Sequence, residues 1–482
     1  MASALSRLIR GGAAYQSPAL VSGLLALVTL PLYTRELSPA DLGVAETVLT
    51  FIILGSIVLR GGLGESLIRL WFTEDDPADR ARLARTTLVT VAAVTTVVAL
   101  AALPVAAQLA DLLCGRRDAA IGRLALLGLW AFTNLETAYA LLRVQERRAT
   151  YVRASMANVL LTVGLTVTLV VILDQGAHGY LAGNYVASAV VLVGIWLAEG
   201  RRLGLGGARY PLAPLLRYGL PIVPAEAAVF ALNVVDRAYL LRTESAAAAG
   251  LFALAVKLAT VVIVAVRAFG LAWPPLAYSV RDDDEARRLY AAVTTWYVAV
   301  IGLVVLALAL LARWIVDLLA APEYASAHEA LGWVSLGWGL YGLALLLVTV
   351  AGRARITTRN VPAAAGGLAA NVVALLVLVP PLGIAGAGIA LCVAYVVTLA
   401  ILHLVTRSLF AVPFEWGRLA HATAVLAVAA AAGELLLPTH GAAGLAARAA
   451  VVAAVPVALL GTGFLRDSER LAFTRIARRQ LR

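Results

Sequence analysis

Residues 218–241 read YGLPIVPAEAAVFALNVVDRAYLL. From Leu220 to Leu241 the stretch is apolar and long enough to cross a bilayer, yet it carries Glu226, Asp236 and Arg237. On insertion scales a charge at that depth costs about 2.5–3.5 kcal/mol unless something compensates it. A chain that keeps such groups there uses them either to bind something or to hold helices together.

The rest of the chain has the same character. Of its 482 residues 62% are hydrophobic and only 14% are charged, and mean hydropathy is +0.89. An ordinary soluble domain is about 25% charged. At roughly 20 apolar residues per span, about fourteen transmembrane helices are expected, beginning near residues 11, 42, 87, 119, 154, 178, 218, 246, 290, 328, 361, 384, 419 and 443. The fold class is therefore an all-α polytopic membrane protein. The first apolar stretch, after Arg7 and Arg10, is too long for a signal-peptide core and reads as a retained first helix.

A net charge of +11 suggests nucleic acid in a soluble protein, but here its placement speaks for topology. Most of the cations fall in segments such as RVQERRATYVR (143–153), EGRRLGLGGARY (199–210), GRARITTRN (352–360) and RDSERLAFTRIARRQLR (466–482). LDQGAHGY (173–180) and VPPLGIAG (379–386) hold no Lys or Arg. By the positive-inside rule the first group is cytoplasmic, as are both termini. The two cysteines, Cys114 and Cys392, make neither a disulfide framework nor a metal site. No Gly-Lys pair exists to form a phosphate loop, so neither cofactor nor metal is expected.

The chain also repeats itself. LYTRELSPADLGVAETVLTF (32–51) aligns with YLLRTESAAAAGLFALAVKL (239–258), pairing Arg35 with Arg242, Ser38 with Ser245 and Gly43 with Gly250. The same offset pairs Arg60 with Arg267, and DPADRARL (76–83) aligns with DDDEARRL (282–289). Six helices separate the copies, so the halves run parallel, and substrate sites of such repeats tend to lie at their interface. The expected organisation is a six-helix lobe over 1–200, a cytoplasmic inter-lobe linker over 201–217 and a second lobe over 218–406. Two further helices occupy 407–465 and a basic cytoplasmic tail 466–482.

The segments YGLPIVPAEAAVFALNVVDRAYLL (218–241), GLFALAVKLA (250–259) and AFGLAWPPLAYS (268–279) closely resemble the second-lobe opening of bacterial polysaccharide/oligosaccharide flippases. LPLYTRELSPADLG (30–43) and GGLGESLIRLWF (61–72) resemble the first-lobe opening. These flippases belong to the multidrug/oligosaccharidyl-lipid/polysaccharide exporter superfamily. The resemblance implies a V-shaped pair of lobes around a cationic cavity. It also implies a non-enzymatic flippase of the bacterial cytoplasmic membrane, moving a lipid-linked glycan, usually on undecaprenyl diphosphate, from the inner to the outer leaflet by alternating access. A coupling H⁺ or Na⁺ and a monomeric state go with this reading, and nucleic acid does not. A multidrug/cation antiporter of the same superfamily, a lipid II flippase and a membrane glycosyltransferase using DDDE (282–285) are the alternatives. The first would favour an anionic cavity, and the acids of the last also suit a helix N-terminus.

A diphosphate crossing hydrocarbon needs cations screened from lipid. Lys257 is the chain's one lysine, about 15 Å from its helix end at 1.5 Å per residue. It is a candidate phosphate ligand, or else a helix lock paired to Glu226 or Asp236. Arg60 and Arg267 occupy equivalent repeat positions, with Arg267 about 80° from Lys257 on a helical wheel; both can also snorkel. Glu226, Phe230, Asn233 and Arg237 form one stripe, while Asp236 sits off it. Glu46 on helix 2, Asn134 and Glu136 on helix 4, and Arg69 after the glycine cluster complete the candidate set. Cysteine substitutions at Thr150 and Gly176 are expected to label from opposite faces of the membrane; labelling from one face overturns the topology.

Overall fold

The computed structural model describes residues 21–23, 25–203, 209–232, 234–353 and 360–466. The start of the expected first helix, Asn233, part of the expected linker, loop residues 354–359 and most of the tail lie outside the described residues. Helical residues 25–36 form α1. There follow α2 (Pro39–Arg60), α3 (Leu63–Trp71), α4 (Pro77–Ala102), α5 (Ala106–Cys114), α6 (Ala119–Val144), α7 (Arg148–Thr166), α8 (Gly176–Leu203) and α9 (Leu212–Gly219). Then come α10 (Val223–Leu232), α11 (Val235–Thr243), α12 (Ala246–Leu258), α13 (Thr260–Ser279), α14 (Asp283–Leu310) and α15 (Ala312–Leu319). The last four are α16 (His328–Arg353), α17 (Asn360–Thr406), α18 (Trp416–Leu436) and α19 (Gly441–Gly461).

Twelve helices among the described residues are long and apolar enough to cross a membrane. One of them, α17, is two helices joined at Gly383, whose φ of 55° admits the reversal. The chain folds back there, so that the Thr398 hydroxyl reaches the Ala363 carbonyl at 3.5 Å. The expected count of about fourteen therefore holds as an approximation. Large apolar side chains face outward along the helices, among them Val97 (66% exposed) and Val428 (68%). Soluble monomers rarely show a surface of that kind.

The duplication is visible in the helix caps. Ser38 accepts the Asp41 N–H at 3.1 Å and Ser245 accepts the Ala248 N–H at 3.0 Å, three residues on in both copies. Asp76 caps α4 through the Ala78 N–H and Asp282 caps α14 through the Glu285 N–H, each at 2.8 Å. Such caps satisfy N–H groups that a helix start leaves without partners. The aspartates of the DDDE run are thus occupied: Asp282 as a cap, Asp283 against Arg353 at 2.8 Å and Asp284 against Arg287 at 2.9 Å.

The copies differ in where the helix breaks. The first runs unbroken from Pro39 to Arg60 and stops at Gly61 and Gly62, both at positive φ. The second stops at Leu258 and restarts at Thr260. The wheel angle between Lys257 and Arg267 assumed one continuous helix and does not apply across this break. The stripe of Glu226, Phe230, Asn233 and Arg237 is likewise divided, because α10 ends at Leu232 and α11 begins at Val235.

The chain divides into two compact units, residues 1–257 with 319–324 and residues 258–318 with 325–482. In the first unit α2 and α12 cross at the repeat-related glycines. A Cβ on Gly43 would lie 1.9 Å from the Ala246 carbonyl oxygen, and one on Gly250 would lie 1.8 Å from that of Pro39. The contact is reciprocal under the same offset of 207 residues, as a two-fold-related contact must be. The described end of the expected linker packs in this unit too: Ser66 donates to the Leu215 carbonyl at 2.6 Å, and the Tyr210 N–H donates to Thr86 at 2.7 Å. In the second unit Trp273, Tyr290 and Tyr297 centre a core among α13, α14 and α16.

Because backbone, not a movable side chain, faces Gly43 and Gly250, Gly43→Val or Gly250→Val is expected to cost at least the 1–3 kcal/mol typical of overpacking. Gly164→Ala, which meets nothing within 4 Å, is the control expected to leave the melting temperature in detergent unchanged.

Candidate functional site

Below the glycine crossing, α2 and α12 present their polar groups to each other. Glu46 lies three residues after Gly43, and Lys257 lies seven after Gly250. Helical side chains lean toward the N-terminus, so Lys257 reaches back up and meets Glu46. Its Nζ is 2.7 Å from Glu46 Oε1, while Arg237 Nη1 is 3.3 Å from Oε2. The Tyr180 hydroxyl donates to Glu46 Oε1 at 3.0 Å and accepts from Lys257 Nζ at 3.1 Å. Tyr33 stands edge-on to the Tyr180 ring at 5.8 Å. One carboxylate thus holds two cations, and Glu46 itself is buried. A cavity of about 40 Å³ beside Lys257 and Tyr324 has room for a water, which can serve as a third acceptor for Nζ.

The break after Leu258 puts Lys257 in the last turn of α12, where the helix dipole favours a cation. The break between α10 and α11 lets the two parts of that segment serve different ends of α2. Arg237 goes to Glu46, whereas Glu226 goes to Arg60 at 3.2 Å, with Glu65 3.9 Å from the same guanidinium. Three ionisable groups of residues 218–257 are therefore tied to α2. Lys257 pairs with Glu46 rather than with Glu226 or Asp236.

The other candidates are placed as follows. Asp236 is buried at 1% exposure on α11. Asn134 donates to Thr95 and to the Trp130 carbonyl, both at 2.8 Å, and the first of these bonds ties α6 to α4. Glu136 is half-buried on α6, and Arg69 is exposed on α3. Arg267 is exposed on α13 in the second unit. Sequence reasoning passed over Tyr180, which bridges the ion pair. Its phenol at a helix start gives no one-dimensional sign of its partners.

A family model for polysaccharide biosynthesis proteins matches residues 32–329. The chain belongs to that family. The matched segment contains the whole Glu46, Tyr180, Arg237 and Lys257 cluster. A search of curated proteins returns no match. Among solved structures, the lipid II flippase MurJ in an inward closed conformation is similar at TM-score 0.71 and 11% identity, over 97% of this chain and 99% of that one. An inward-facing multidrug resistance MATE family transporter of the MOP superfamily is similar at 0.66 and 15%, over 85% and 96%. A mutant of the Vibrio cholerae MATE transporter VcmN is similar at 0.59 and 18%, over 84% and 97%. This polysaccharide biosynthesis protein thus has the fold of the multidrug/oligosaccharidyl-lipid/polysaccharide exporters.

Because one carboxylate serves two cations, the two ends of the pair are not equivalent. Glu46→Gln leaves Lys257 and Arg237 facing each other uncompensated and is expected to cost about 3–5 kcal/mol. Lys257→Met leaves Glu46 with Arg237 and Tyr180 and is expected to cost about 1–3 kcal/mol. Equilibrium unfolding in mixed micelles measures both; a costlier Lys257→Met would show that Glu46 is not the shared acceptor.

Proposed function

We propose that this chain is a flippase that carries a lipid-linked oligosaccharide or polysaccharide repeat unit, borne on undecaprenyl diphosphate, from the inner to the outer leaflet of the bacterial cytoplasmic membrane. The observation that carries the reading is the family match over residues 32–329, a segment in which two half-buried cations share a single buried carboxylate. The glycan's carrier is anionic at its diphosphate and polar at its sugar. An ion cluster with more positive than negative charge suits the former.

In this reading the diphosphate competes with Glu46 for Lys257 and Arg237 as the protein alternates between inward-open and outward-open states. Lysine suits such an exchange, being a compact charge with three donors and no fixed fork. Arg60, Arg69 and Arg267 act earlier, drawing the diphosphate in from the cytoplasmic side. Glu226, Asn233, Asp236, Glu136 and Asn134 are assigned to the polar lining or to coupling. Energy comes from an H⁺ or Na⁺ gradient or from the membrane potential, which supplies about 2.3 kcal/mol per charge at 100 mV.

The test is flipping of a panel of lipid-linked sugars in reconstituted vesicles. Lys257→Met is expected to reduce transport at least tenfold while the protein still inserts and unfolds cooperatively, and Lys257→Arg to retain part of it. Full transport by a folded Lys257→Met variant refutes the assignment.

A further inference from the structure

The second compact unit holds a cavity of about 950 Å³ that the transport reading does not use. It lies among α14, α16 and α18, at the upper end of the range for ligand cavities, about 300–1,000 Å³. Small residues on facing helices open it: Ala309 on α14, Gly332 and Gly339 on α16, Ala427, Ala430 and Ala431 on α18. Its lining is mostly apolar, and its mouth is edged by Trp333 (42% exposed) and Leu435 (81%). A mouth edged with exposed apolar side chains opens on hydrocarbon, not on water.

The charged groups of the lining gather at one end, where α14 passes into α15, α16 begins and α18 gives way to α19. Two of them neutralise each other. Arg448 is buried and holds Glu434 at 2.9 Å, the Leu310 carbonyl at 3.1 Å and the Pro438 carbonyl at 3.2 Å. Arg313 is held differently. It donates to His328 Nε2 at 3.0 Å and to His440 Nε2. The other nitrogen of His328 faces the Ala325 carbonyl at 2.6 Å, and that of His440 faces the Thr439 hydroxyl at 2.7 Å. This pattern puts the protons on the Nδ1 atoms and leaves both rings neutral acceptors. Among the described residues no carboxylate lies within ion-pair distance of Arg313. Glu329 follows His328 directly, one Cα step of about 3.8 Å on, and has no cation within ion-pair distance among the described residues. It is exposed in the first turn of α16, where the helix dipole suits it, and so is free to take a cationic ligand.

The cavity thus offers an apolar trough for chains and, at the same end of its lining, one cation and one anion without ionic partners. We infer that it holds a bilayer phospholipid with a zwitterionic phosphoethanolamine head, its phosphate on Arg313 and its primary ammonium on Glu329. The guanidinium exchanges two neutral imidazole acceptors for a phosphate, whose oxygens can meet its planar fork with two parallel N–H···O bonds. The ammonium requires a carboxylate within a short reach of that phosphate, since two carbons and an oxygen link the two groups. The site shares no residue with the Glu46 cluster, and the ammonium that Glu329 would take is a group a phosphoethanolamine lipid carries and a polyprenyl diphosphate lacks.

The full-length protein in detergent is titrated with phosphatidylethanolamine, phosphatidylglycerol, phosphatidylcholine or inorganic phosphate. Retained lipid is counted by native mass spectrometry and stability is read as melting temperature. Phosphatidylethanolamine is expected to be retained at least fivefold better than phosphatidylcholine, whose quaternary ammonium cannot donate a hydrogen bond. Arg313→Gln is expected to abolish retention, Glu329→Gln to erase the preference over phosphatidylglycerol, and Ala427→Trp, which fills the trough, to exclude every lipid. Because the headgroup panel is run on the unaltered protein, it decides the matter even where a variant fails to fold. Equal retention of all three lipids, retention unchanged in a folded Arg313→Gln, or full stabilisation by inorganic phosphate alone overturns the inference.

Discussion

A single buried carboxylate organises the first compact unit. Glu46 sits inside a helical assembly where an unpaired charge is expensive, and it is accommodated because Lys257, Arg237 and the Tyr180 hydroxyl all turn toward it. Removing either cation leaves the other; removing the carboxylate leaves two like charges in a medium that screens them poorly. The cluster is therefore asymmetric in energy as well as in charge. Its position depends in turn on the glycine crossing above it. Only with hydrogen atoms at Gly43 and Gly250 can α2 and α12 approach until carbonyl oxygens fill the space of a Cβ. From that crossing, three residues down one helix and seven down the other bring carboxylate and ammonium within 2.7 Å.

The same chemistry explains why the segment from residue 218 to 241 tolerates its charges. It is not one helix. Pro221 and Pro224 stand near its start, a break separates α10 from α11, and each part delivers one charge to α2. An interrupted helix frees backbone groups at membrane depth, which is tolerable only where protein surrounds them. The reward is two ion pairs of opposite sense along one helix, Arg237 to Glu46 and Glu226 to Arg60. Polar contacts between membrane helices are individually modest, averaging about 0.6 kcal/mol. They nevertheless set register, because a slipped helix strands a charge.

The duplication supplied the frame, and the two copies then diverged in what they place on it. Serine and aspartate caps recur at matching helix starts in both copies, since a cap depends on a few adjacent residues and survives divergence. The charges of the ion pair do not recur: the offset that joins Gly43 to Gly250 sets Glu46 against Ala253 and Lys257 against Thr50. One copy thus contributes the acid and the other the base, which makes the two halves chemically complementary instead of identical.

Sequence alone determined the solvent, the class and the repeat. Hydropathy over twenty residues, arginine placement and helix caps are local properties, and the polysaccharide-exporter motifs around residues 30–72 and 218–279 are runs of adjacent residues. It also isolated Lys257, Arg237, Glu226 and Glu46 as groups that apolar helices would not carry idly. Tertiary structure decided which of them meet. Lys257 had Glu226 and Asp236 as nearer partners along the chain, and its choice of Glu46 follows from where two helices cross. The breaks at Ala259 and Val234 reset the helical phase that wheel angles assume, so Arg267 could not be placed relative to Lys257, nor Glu226 relative to Arg237, by counting. The cavity beside Arg313 was invisible for the same reason: small residues on three helices leave a void only when packed against one another, and an arginine lacks a carboxylate only in three dimensions.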